Sequence, residues 1–418
     1  MIALLIVLIL LAAAAVVYWV LLSRAYAQVS RADEVHEVKT SDLWTICLYR
    51  YMPENGDGEP VLLCHSALAN HFNFALPDEN ALVDVLTKQG YDCWAIELRG
   101  AKSSIPPYGR RRWAATMDDY LLRDLPAAIE YIQKVTRYAK VHCVGHSMGG
   151  MLLYAYQVAY GPNQIASAAT LGAPPGFEGK GLHNPKILLA FHALCPPVFY
   201  YVLRGLTPLL CKVRPKSRFV PVNWDNLHPE IDAGAFFNVL EPAPPTVAKA
   251  LCSWGTGEEW HMQDGEIDVA AGLKTLRAPL LALFGAADPL IPGSRAESFF
   301  KDLPGKDKKY LMLSERNGHA ADYNHVDLAF GRESVKDVFE PIVEWIKQHP
   351  CLEQVKPADL VEKAEDSMRA VAAEQKGPAR KRRAAPKKKA AAKKKPAAKK
   401  KTTAKRKPAA KDRANPPE

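Results

Sequence analysis

The chain has 418 residues, 48% of them hydrophobic, and a formal net charge of +10 at pH 7. That length and apolar content exclude a chain without a core and allow one large domain or two ordinary ones. The charge is unevenly placed: Pro378–Glu418 holds 18 Lys/Arg against 2 Asp/Glu, so the residues before it carry a net −6 and the basic balance says nothing about the folded body.

Residues 2–22, "IALLIVLILLAAAAVVYWVLL", are uncharged and almost wholly apolar. At 1.5 Å per residue this run spans roughly 30 Å of hydrocarbon, so residues 1–23 are expected to form a transmembrane anchor. Tyr18 and Trp19 stand where an interfacial belt would place them. "AYA" at Ala25–Ala27 resembles a signal-peptide cleavage site, but the apolar run is long for one and no basic side chain precedes it. Arg24 and Arg31 follow the span, so the positive-inside rule puts the bulk of the chain in the cytoplasm.

Residues 35–350 read as one α/β domain with a mostly parallel sheet covered on both faces. "DLWTICLYRY", "EPVLLCHS" and "YDCWAIELRG" are expected strands, and "DDYLLRDLPAAIEYIQKV" has helical periodicity. "VHCVGHSMGGMLLYA" reads as strand, sharp turn and helix. Its centre, Gly145-His146-Ser147-Met148-Gly149, fits G-x-S-x-G, in which a tight turn thrusts a serine out at the carboxyl edge of a strand. The following helix aims its free N–H groups at the same place. "IASAATLGAPP", "APLLALFGAADPLIP" and "KKYLMLS" are further strands, and "SVKDVFEPIVEWIKQH" is a closing helix. About residues 175–276 break the alternation. They are too many for a loop and are expected to form a helical cap, whose apolar residues either face lipid or pack inward.

A serine hydroxyl becomes a useful nucleophile only when a histidine takes its proton and an acid orients that histidine. Asp288 follows the apolar run Leu280–Phe284 and is the expected acid. Two histidines follow the last strand, His319 in "NGHAAD" and His325 in "DYNHVDLAFG", and spacing leaves both open as the base. Of the two N–H groups that would hold an oxyanion, one is expected from Met148, directly after the serine. The other is expected in the loop after "VLLCHS". Eight cysteines lie far apart, with no C-x-x-C and no paired Cys/His cluster. No metal site and no cofactor are therefore expected, and buried free thiols are the reading.

"GYDCWAIELRGAKSS", "RDLPAAIEYIQKVT", "VHCVGHSMGG" and "YNHVDLAFG" together resemble the acid lipase branch of the α/β-hydrolases, over about residues 40–175 and 278–345. The resemblance implies the α/β-hydrolase fold with an inserted cap, and a serine hydrolase acting on carboxylic esters or lipids. It implies His325 as base, in a stretch matching the family's N-H-x-D-F, with His319 in reserve and Asp327 as a residue that orders the loop. It implies Ala67 as the second oxyanion donor. The family has His-Gly in that loop, where this chain has His65-Ser66-Ala67, which puts the loop's geometry in question. Acyl transfer to another alcohol would use the same residues.

Residues 352–418 repeat Lys triplets with Ala and Pro and resemble linker-histone-like tails. A segment with nothing to bury and strong self-repulsion is expected to stay disordered alone. Its expected partners are nucleic acid, held through phosphates, or anionic lipid, and the third reading is a solvated appendage with no dedicated partner. An inert triad would leave a membrane tether for nucleic acid.

Overall fold

The computed structural model describes residues 2–173, 196–216, 221–255, 259–291 and 293–351. The basic tail and the first part of the expected cap lie outside the described residues. An apolar helix opens the chain (α1, Ile2–Ala25). The sheet strands are β1 (Glu34–Lys39), β2 (Thr45–Tyr51), β3 (Pro60–Cys64), β4 (Asp92–Glu97), β5 (Val141–His146), β6 (Ile165–Leu171), β7 (Leu280–Gly285) and β8 (Lys308–Leu313). They pair in the order β1-β2-β4-β3-β5-β6-β7-β8. β1 and β2 pair antiparallel, as do β2 and β4, and the other five pairings are parallel.

β3, β4, β5 and β7 are buried at every position. That is why their sequences run apolar instead of alternating: helices cover both faces. Helices α3 (Leu125–Thr136) and α4 (Met148–Tyr160) pack with Leu62, Trp94 and Cys143 on one face. Helices α2 (Leu82–Lys88) and the closing helix (Glu340–Lys347) pack with Val61, Leu63 and Val144 on the other. The strand β1, "EVHEVK", was not foreseen. It is an edge strand with Glu37 and Lys39 exposed beside Val35, charges that protect a free edge, and too polar to stand out.

Between β6 and β7 the described part of the insertion is mainly helical: Pro196–Gly205, Thr207–Val213, Ala233–Val239 and Pro245–Gly255. The end of α1 sits on these helices. The Trp19 ring lies edge-on to Tyr201 at 4.5 Å and 5.5 Å from Phe237. The Tyr18 hydroxyl donates to the Gly205 carbonyl at 2.7 Å. These two aromatics therefore have protein partners, besides any interface they mark. Arg31 likewise has a structural use, pairing with Asp78 and Asp84.

The turn between β5 and α4 is as tight as its glycines imply. Ser147 is held at φ 52°, ψ −115°. A Cβ on Gly149 would lie 2.0 Å from the Cys64 carbonyl oxygen, a backbone atom of β3 that cannot step aside. Gly149→Ala is therefore expected to cost more than about 3 kcal/mol and to lower soluble yield and Tm sharply. A wild-type Tm for this variant would show that β3 and α4 are not in such contact.

Candidate active site

Ser147 stands at the carboxyl edge of β5, its backbone N–H bonded to Leu171 O at 2.8 Å. Residues on both sides of this anchorage touch His325. His146, just before the serine, places Nε2 3.1 Å from the His325 carbonyl, with ring centroids 5.1 Å apart. Gly172, just after Leu171, has φ +53°, and a Cβ there would lie 3.0 Å from His325 Nδ1. A side chain at 172 would be strained and would crowd the imidazole.

The expected acid and one of the two expected bases meet in the structure. His325 Nδ1 lies 2.7 Å from Asp288 Oδ2, and both side chains are nearly inaccessible to solvent. The other Asp288 oxygen accepts the Leu290 N–H at 2.8 Å. A carboxylate that accepts from Nδ1–H leaves Nε2 as the free lone pair. Ala287 N donates to Tyr323 O at 2.9 Å, tying the loop after β7 to the loop that carries His325. His319 is not brought to Asp288. Its Nδ1 folds back on the backbone of Ser314.

Asp327 is fully buried and orders this loop. Its carboxylate accepts from Asn324 N, Asn223 N and the Asn226 side chain, at 3.0, 3.1 and 2.8 Å. It thus joins the base loop to the insertion. Burial pushes its carboxyl up from its ordinary value, against these donors.

Met148 is the first residue of α4, so its N–H has no partner within the helix. Met148 and Ala67 line one cleft with Leu98, Tyr120, Glu241 and Pro242. The missing glycine has a local explanation. The left-handed backbone of this loop falls on Leu68, at φ 61°, and not on Ala67. Ser66 N donates to Asn73 Oδ1 at 3.0 Å, and His146 Nδ1 lies 3.0 Å from the same oxygen. Asn73 and His146 therefore brace the Ala67 loop against the serine turn and the base loop. Sequence reasoning missed them both. Burial, and to a lesser degree the neighbouring His325, push the His146 imidazole down to about 3, so it is neutral and its single N–H donates to one of these two oxygens, Asn73 Oδ1 or the His325 carbonyl.

Glu241 also reaches the cleft. Its N–H donates to Leu68 O at 2.9 Å, and its carboxylate accepts Lys102 N–H at 2.7 Å. Burial pushes its carboxyl up to about 7 from the ordinary 4.5, helped by the charge of Glu97 and opposed by Lys102 and Arg204. The folded chain then holds a proton that the unfolded chain has lost, so stability falls as pH rises through this window. Wild type is expected to lose up to about 3 kcal/mol, relative to Glu241→Gln, between about pH 4.5 and 7. Urea unfolding of both chains across that range measures it, and parallel slopes would refute the assignment.

A family model described as the alpha/beta hydrolase fold matches residues 59–189. Lipase 3 of Drosophila melanogaster is 32% identical over 373 residues, covering 76% of this chain and 90% of that protein. Human gastric triacylglycerol lipase is 35% identical over 130 residues, covering 28% of this chain and 32% of its own. A solved thermophilic esterase from Thermogutta terrifontis, with malate bound, superposes with a TM-score of 0.52 at 20% identity. It covers 76% of this chain and 100% of its own. That last likeness speaks for the fold alone.

Proposed function

This chain belongs to the lipases of the α/β-hydrolase fold and is a lipase- or esterase-like enzyme, and from that premise we propose a membrane-anchored serine hydrolase using Ser147, His325 and Asp288. Ser147 Oγ attacks the acyl carbonyl while His325 Nε2 takes its proton. The N–H groups of Met148 and Ala67 hold the oxyanion. His325 returns the proton to the leaving alcohol, giving an acyl-enzyme and free alcohol. A water, deprotonated in turn by His325, then releases the carboxylic acid and restores Ser147. Asp288 holds the imidazolium that forms in each half.

The observation that supports this reading most is the buried 2.7 Å contact between His325 Nδ1 and Asp288 Oδ2, carried to the serine turn by loops after β7 and β8. A lipid acyl ester is the proposed substrate. Its support is the kinship with named lipases and the exposed apolar side chains Val202, Leu206, Leu209 and Val213 on the insertion's helical stretch. Helix α1, at 24 residues, is about 36 Å long and serves as the anchor in this reading. Arg24 and Arg31 follow it and would keep the enzyme domain on the cytoplasmic side.

The test is labelling of the full chain in detergent with a fluorophosphonate, followed by turnover of acyl esters of graded chain length. Labelling together with a preference for long acyl chains is the expected result. A folded chain that takes no label would overturn the triad reading.

A further inference from the structure

Far from the serine turn, at the opposite edge of the sheet, three side chains distant in sequence converge. Glu59 directly precedes β3, His142 is the second residue of β5, and Cys351 follows the closing helix. His142 Nε2 lies 3.0 Å from Glu59 Oε2 and 3.3 Å from Cys351 Sγ, and all three atoms lie within 4.8 Å of one another. His142 and Cys351 are buried, and Glu59 is partly open to solvent, which gives an ion a way in. Tetrahedral zinc, with bonds of about 2.0 Å to N and O and about 2.3 Å to S, needs N···O near 3.3 Å and N···S near 3.6 Å. The observed separations are a few tenths of an ångström short of these, so small side-chain shifts would seat the ion.

We propose that Glu59, His142 and Cys351 bind one zinc ion, with water as the fourth ligand. The donor set is an anionic oxygen, an imidazole and a sulfur, which zinc accepts together. The outer contacts that a zinc site uses are already in place. His142 Nδ1 is 2.8 Å from Ser167 Oγ, so the Nδ1–H tautomer has an acceptor and presents the Nε2 lone pair to the metal. Cys351 N–H donates to Glu59 Oε2 at 2.7 Å and orients the carboxylate. In the metal-free chain Nε2–H points at Glu59 and the thiol at Lys140 O, 3.5 Å away. On binding, the histidine proton moves to Nδ1, the thiol proton leaves to solvent, and zinc takes both places. The balance is one proton released per zinc. The site would clasp the starts of β3 and β5 to the last described residue before the basic tail.

The experiment uses the full chain in detergent, dialysed against zinc chloride and analysed for bound metal. Cobalt substitution reports thiolate ligation through its charge-transfer band. One zinc per chain, a cobalt–thiolate band and a Tm rise of about 4 °C at hundredfold saturation are expected for wild type. Cys351→Ala is expected to lose the band and at least 90% of the zinc, and His142→Gln to lose the zinc. Ester turnover by Cys351→Ala should stay within about twofold of wild type, since the site is remote from Ser147. Wild type that retains no zinc, or Cys351→Ala that retains as much zinc and the same cobalt band, would overturn the proposal. Should His142→Gln fail to fold, Cys351→Ala decides alone.

Discussion

Ser147→Ala is expected to lower ester kcat/KM by about 10⁴ to 10⁶-fold while leaving Tm within about 2 °C of wild type. The size follows from the role. Without Oγ no acyl-enzyme forms, and only binding and the N–H groups of Met148 and Ala67 remain to act on water. The small stability change follows from the place. The serine turn is held by backbone, through Ser147 N to Leu171 O and Met151 N to Ser147 O, and alanine keeps both bonds. Turnover of a p-nitrophenyl acyl ester, read beside a thermal melt, separates chemistry from folding. A variant that stays folded and keeps a tenth of its activity would end the nucleophile assignment.

The two histidines near the end of the chain give the second large contrast. His325→Ala is expected to lose about 10⁴-fold or more in kcat, and His319→Ala to stay within about twofold. His325 alone of the pair reaches Asp288, at 2.7 Å, while His319 closes a local turn on Ser314. Asp288→Asn should follow His325→Ala in direction, because it removes the acceptor that fixes the imidazole tautomer. A loss on His319→Ala as large as that on His325→Ala would mean that the loop after β8 rearranges before catalysis.

What could be read in the sequence divides along a physical line. The turn at Gly145–Gly149 was legible because the steric demand is local: a Cβ on Gly145 would meet Gly149 and Gly150, and one on Gly149 would meet the adjacent strand β3. Buried strands such as "VLLC" and "LLALFG" were legible because both faces are covered and the apolar run is unbroken. Asp288 was singled out by its place after such a run, and the structure sets it 2.7 Å from His325. Spacing could not choose between His319 and His325, since both follow the same strand, and the choice came from a resemblance. Asn73, His146 and Gly172 were invisible because their partners come from other strands and loops. The same reason hid Glu59, His142 and Cys351. The cysteine positions argued against a metal when read along the chain, and only the sheet brings these three together.

The seam between α1 and the insertion has a mechanical corollary. Trp19 against Tyr201 and Phe237, with the Tyr18 hydroxyl donating to Gly205 O and the Asn238 amide donating to the carbonyl of Tyr26 just past the helix, joins the apolar helix to the insertion. Two aromatic pairs and two hydrogen bonds are worth about 3 kcal/mol together. A swing of those helices away from α1 would break the seam and make the separated state about a hundredfold rarer than it would otherwise be. The alternative is that helix and insertion travel as one lever, and then the tilt of the apolar helix and the width of the cleft are the same coordinate. Were the helix to span a bilayer as proposed, hydrophobic mismatch would bias its tilt and, through this lever, access to Ser147.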